Sequence, residues 1–111
     1  MNRIPMSAAA SSLLRTLVAR SGVARDRILL SDVQSVDWQS LTFSGERHQI
    51  ELSVPKPKSS EVVDRMCAGL EEAEFVISGL IVADIGVTRT SGPALDGLTS
   101  VTIEALTVFT D

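Results

Sequence analysis

An α+β fold, two helices on one face of a four-stranded antiparallel sheet, follows from three observations on this chain of 111 residues. Two stretches carry apolar residues at helical spacing, and four carry them in alternation. Turn-forming Gly, Pro and Ser clusters separate these stretches and set the order α-β-β-α-β-β. Each helix must bury its stripe, and one sheet face accepts both, which gives a two-layer sandwich. The same order reads as two αββ units, or as a ferredoxin-like βαββαβ order whose first strand has moved to the C-terminus. No residue-level repeat links the halves, and 1–111 reads as a single domain.

The first helix spans 7–20, with Ser7 as N-cap and Ser21-Gly22 as stop. Residues 1–27 hold five Arg against one acid, and with their Ser content they resemble an organellar transit peptide. Leu13, Leu14, Leu17 and Val18 nevertheless form the stripe of a packed helix, and the segment is read as core structure. Ile28 to Trp38 reads as extended, with Val36 and Trp38 in one phase and Val33 out of it. Ser44-Gly45-Glu46 then marks a tight turn into a strand with His48, Ile50, Leu52 and Val54 on one face.

Pro55 to Lys58 ends that strand as a short, stiff linker. A second helix, capped by Ser59 or Ser60, runs to about Ala73 with Val63, Met66, Cys67 and Leu70 on one side. Glu71, Glu72 and Glu74 then crowd its C-terminal end, where the helix dipole disfavours acids. Leu80 to Thr88 places Ile81, Ala83, Ile85 and Val87 on one face. Leu98 to Phe109 returns with Val101, Ile103 and Ala105 in phase, then Leu106 and Val108 out of it.

Composition narrows the chemistry. His48 and Cys67 are the only imidazole and the only thiol, so catalysis that needs a His pair, a Cys pair or a Cys–His dyad must use these two or recruit a second chain. A single Cys excludes an internal disulfide and fits a cytoplasmic location. No apolar stretch is long enough to span a bilayer, so no membrane partner is expected. Residues 28–111 carry a net −8, and the whole chain −4, which disfavours nucleic acid. One Trp and no Tyr leave no aromatic platform for RNA bases. Gly-rich phosphate loops and a Ser nucleophile elbow are missing, and no cofactor or metal is expected.

Four polar residues remain as candidate binding residues. Glu46 and His48 share one side of a strand and together offer an acid–base pair. His48 reads more simply as a rim histidine bonded to a loop carbonyl, and Cys67 as a small core hydrophobe. Asp84 and Glu104 fall on the polar face of the last two strands, near Gln49, Glu51, Arg47 and Arg89. Out-of-phase Trp38, Val82, Leu106, Val108 and Phe109 exceed what one helical layer should bury, and form the expected interface of a homodimer. The chain therefore reads as a non-catalytic binding or assembly module. The alternatives are a small-ligand domain with a pocket between helices and sheet, and an enzyme using His48 with carboxylates.

Overall fold

A computed structural model describes residues 5–110. Helix α1 (Ala8–Ser21) begins where Ser7 Oγ accepts the Ala10 N–H at 3.1 Å. It stops at Gly22, whose φ of 76° lies in the left-handed region that glycine enters without strain. Leu13, Leu14 and Leu17 are buried, so α1 packs into the core despite its Arg and Ser content. A 3-10 turn (Arg25–Arg27) leads into β1 (Leu29–Gln39), which folds back as β2 (Ser44–Val54). Helix α2 (Ser59–Cys67), a second 3-10 turn (Leu70–Glu72), β3 (Leu80–Ser91) and β4 (Thr99–Phe109) complete the chain.

The predicted α-β-β-α-β-β order is the observed one. The four strands form one antiparallel sheet in the order β1-β2-β4-β3. That order is what a ferredoxin-like sheet becomes when its first strand is moved to the end. It is also helix, 3-10 turn, hairpin, stated twice. The helix ends carry the doubling into side-chain chemistry. Arg20, in the last turn of α1, donates to the Met66 carbonyl at 3.0 Å and to the Ala68 carbonyl, at the end of α2. Arg65, in the last turn of α2, donates to the Ser21 carbonyl at 3.0 Å, at the end of α1. Each helix thus supplies a cation to the unsatisfied carbonyls that close the other.

One apolar cluster joins Leu13, Leu14 and Leu17 of α1, Val62, Val63 and Met66 of α2, and Leu70 to a single face of the sheet. The sheet contributes Ile50, Leu52 and Val54 from β2, Ile85 from β3, and Val101, Ile103 and Ala105 from β4. The two central strands carry most of this face, while β1 and β3 form exposed edges. Among the described residues, no helix is long and apolar enough to cross a membrane.

The structure corrects three local readings. Helix α2 is shorter than predicted, because Ala68 is extended and Gly69 left-handed, so the chain leaves the helix before Ala73. Glu71 and Glu72 consequently open a new 3-10 turn instead of crowding a helix C-terminus. Neither serine caps α2: Lys58 holds the cap position, and Ser59 Oγ instead donates to the Gly97 carbonyl at 2.6 Å and meets Thr99 Oγ1 at 2.8 Å.

Phase in the two edge strands is set by bulges, as expected in β1 and as a further correction in β3. A bulge at Ser31 leaves Val33 opposite Ile50 on the helix side, so Val36 and Trp38 face away from the helices. A bulge between Val82 and Asp84 does the reverse in β3. Val82 packs against the core while Ile81 joins the uncovered face, because one extra residue shifts alternation by one.

Candidate functional site

His48 occupies the core phase of β2 and is 3% exposed, so it is a buried residue and not a rim one. Its partners are hydroxyls on the two neighbouring strands. Ser35 Oγ lies 2.7 Å from Nδ1 and Thr107 Oγ1 lies 2.8 Å from Nε2. Thr107 Oγ1 donates to the Glu46 carbonyl at 3.5 Å, so it accepts from Nε2–H and leaves Ser35 to donate to Nδ1. Burial lowers the His48 pKa, and the nearby Glu46 charge opposes this with a smaller effect. The imidazole is therefore neutral, with both ring nitrogens engaged. Glu46 lies opposite Thr107 and Asp37 on the same side of the sheet, and its carbonyl serves the network. Sequence reasoning missed Ser35 and Thr107, although Thr107 stands in phase with Ala105 as a polar residue at a core position.

Cys67 is half-buried at the end of α2, and burial, reinforced by Asp64, pushes its thiol pKa up. A raised pKa keeps the thiol protonated and poorly nucleophilic. Among the described residues, no three His, Cys, Asp or Glu side chains are placed to hold a metal ion.

The uncovered face of the sheet is where the remaining candidates gather. Its residues form rows that cross the strands in the order β1, β2, β4, β3. The first row is Trp38, Gly45, Val108 and Ile81, and the second is Val36, Arg47, Leu106 and Asp84. Gln34, Gln49, Glu104 and Gly86 make the third row, and Asp32, Glu51, Thr102 and Arg89 the fourth. The last row is Leu29, Ser53, Ser100 and Ser91; Ser53 Oγ meets Ser100 Oγ at 2.9 Å and, at the β1 bulge, Ser31 Oγ at 3.1 Å. Asp84 and Glu104 thus share this face, as predicted, in adjacent rows on neighbouring strands. Glu46 and His48 lie on its other side.

The five apolar candidates separate in the same way. Trp38, Leu106 and Val108 face outward together, while Val82 and Phe109 pair with helix-side positions. The outward group gains Ile81, 52% exposed, and Val36, 60% exposed. The β1–β2 turn adds exposed Leu41 and Phe43 at the same end of the sheet, beside half-exposed Phe109. Two adjoining grooves of 420 and 480 Å³ share Ser44 and Phe109 here.

Gly45 shapes this end. A Cβ on it would stand 1.9 Å from the Thr107 carbonyl oxygen, a distance no side chain tolerates. The first row therefore has a bare position between Trp38 and Val108. No protein-family match is found for the chain, and no curated protein matches it either.

Proposed function

We propose that this chain is a non-catalytic assembly module that pairs with a second copy of itself through the uncovered sheet face. The clustering of exposed apolar side chains carries this reading. Exposed Val36 and Ile81 join Trp38, Leu106 and Val108 on the uncovered face at one end of the sheet, where exposed Leu41 and Phe43 of the adjoining turn also lie. Scattered exposed hydrophobics need no explanation, but a contiguous patch favours a partner. A two-fold pair is the simplest closed way to cover the patch with itself.

The enzyme reading finds less support. His48 has both ring nitrogens engaged by neighbouring strands and offers no free position to a substrate. The interior between helices and sheet is filled by Leu13, Leu17, Ile50, Leu52, Met66 and Ile103, which leaves the small-ligand reading without a built pocket to support it. The half-buried thiol of Cys67 suits a reducing compartment, and we place the protein in the cytoplasm.

Size-exclusion chromatography with light scattering tests the assembly reading. A dimer is expected at tens of micromolar, and it should persist in high salt because apolar burial is the main force. A monomer under those conditions, or dissociation by salt alone, would overturn the reading.

A further inference from the structure

Resting on that assembly reading, we infer how the two copies stack: their uncovered faces meet about a two-fold axis running along β4, so β2 of each copy lies over β3 of the other. Strand β4 has β2 on one side and β3 on the other, in a register that gives each outward β4 residue one neighbour on each. Read from the apolar end, β2 presents Gly45, Arg47, Gln49, Glu51 and Ser53. At the same levels β3 presents Ile81, Asp84, Gly86, Arg89 and Ser91.

A two-fold axis along β4 exchanges these two columns. It sets Ile81 over the partner's bare Gly45, and Asp84 over the partner's Arg47. Further along it sets Gly86 under the partner's Gln49 and Arg89 over the partner's Glu51. A bulky residue thus meets a bare glycine at the first level and opposite charges meet at two more, while the space over Gly86 is taken by Glu71 of its own chain. An axis running across the strands through the second row would instead bring Arg47 over Arg47 and Asp84 over Asp84, and one through the third row would set the apolar first row over the serine row. Edge-to-edge pairing through β1 or β3 would leave the Arg47–Asp84 and Glu51–Arg89 levels of the uncovered face without a partner.

The footprint is consistent with a reversible dimer. Three strands of eleven or twelve residues overlap in this arrangement. Strand spacing and rise make that about 500 Å² per copy, or about 1,000 Å² for the pair, near the lower limit for a specific interface. The third row works against closure. Glu104 stands on the axis and meets its own copy. Glu71 reaches the same level, with Oε1 3.3 Å from where a Cβ on Gly86 would lie. Like charges brought together destabilise the pair, so this acidic row holds the affinity down.

Charge exchange tests the geometry. Arg47 and Asp84 are exposed in the single chain, so Arg47→Asp and Asp84→Arg should fold normally, which thermal melting checks. Each variant alone replaces two attractive pairs per dimer with two repulsive ones, and its dimer should weaken by about tenfold or more in sedimentation equilibrium. Mixed one to one, the two variants satisfy both pairs again and should form a heterodimer of near wild-type affinity. Glu104→Gln should dimerise more tightly than the wild type. A wild-type chain that stays monomeric overturns the assembly reading itself. A wild-type dimer whose two exchange variants neither weaken nor recover when mixed overturns the β4 axis and leaves the assembly reading standing.

Discussion

The two faces of the sheet are made by alternate residues of the same strands, yet they are held in different ways. On the helix side, His48, Ile50, Leu52 and Val54 of β2 and Val101, Ile103, Ala105 and Thr107 of β4 are all buried, pressed by a second layer of side chains. On the other side Arg47, Gln49, Glu51 and Glu104 are exposed, and Ser53, Thr102 and Val108 are buried with no layer above them. Ser53 shows how this happens: it sits within a hydroxyl chain from Ser31 to Ser100, so cross-strand neighbours exclude the water. The covered face is stabilised by packing between layers and the open face by contacts within one layer. Only the first should be sensitive to volume and charge in the way of a protein core.

The sharpest way to break that distinction is to place the same charge on each face. Leu17→Asp puts a carboxylate into the helix–sheet core and should destabilise the domain by about 4 kcal/mol or more, enough to unfold it. Leu106→Asp, on the uncovered face, should keep the melting behaviour of the isolated chain much closer to wild type while removing the dimer. Chemical denaturation at submicromolar protein reads the first effect, and sedimentation the second. If both variants unfold alike, the two faces are equally structural and the distinction fails.

His48 probes a polar residue inside the covered face. His48→Ala removes a filled volume and leaves the Ser35 and Thr107 hydroxyls without their shared partner, at a cost of about 2 kcal/mol by urea denaturation. The same residue predicts a pH effect of determined sign. Its folded pKa is lowered, so its contribution is fully present above the unfolded value of 6.5 and is lost as pH falls below it. The loss cannot exceed about 1.4 kcal/mol per pH unit. Thermal melting from pH 7.5 to 5.5 should show the decline in the wild type and a flatter profile in His48→Ala. A wild type that grows more stable on acidification through this range would reverse the assignment of a buried, neutral imidazole.

The reciprocal arginines give a smaller effect. Arg20→Ala frees the Met66 and Ala68 carbonyls at the end of α2, and Arg65→Ala frees Ser21 at the end of α1. Each should lose about 1 kcal/mol, because water reaches these helix ends and replaces part of the bond. Similar losses would support equivalence of the two αββ halves. A loss in one variant alone would mean that the likeness stops at the backbone.

Much of this was legible in the sequence, for reasons that individual residues make plain. Helix α1 was bounded correctly because Ser7 and Gly22 have local roles that no tertiary contact overrides. The core phase of β2 and β4 was correct because unbroken alternation leaves one solution. Ser59 was misread as a cap because the Gly97 carbonyl and Thr99, about forty residues away, compete for its hydroxyl. Ile81 and Val82 were assigned to the wrong faces because a bulge is a property of the pairing, invisible in β3 alone. The same slip affected the proposed interface: Val82 belongs to the core, and Ile81 takes the outward place. The partners of His48 lie on strands thirteen residues before it and fifty-nine after it, beyond any local pattern.

The smallest expected effect sharpens the comparison within the open face itself. Val36 and Ile81 are both outward-facing on edge strands and similarly exposed, at 60% and 52%. Neither is enclosed by a second layer, so Val36→Lys and Ile81→Lys should each change the stability of the isolated chain by no more than about 0.5 kcal/mol. Their effects on association should part. Ile81 lies on β3, under the partner's β2, where a lysine would meet the bare Gly45 instead of an apolar side chain filling it. Val36 lies on β1, beyond the three strands that overlap about a β4 axis. Ile81→Lys should therefore abolish the dimer at tens of micromolar, and Val36→Lys should leave it nearly intact. Equal losses from the two variants would extend the interface across all four strands. Loss in Val36→Lys alone would place the contact on the β1 edge, and the open face would then be structural surface with no partner.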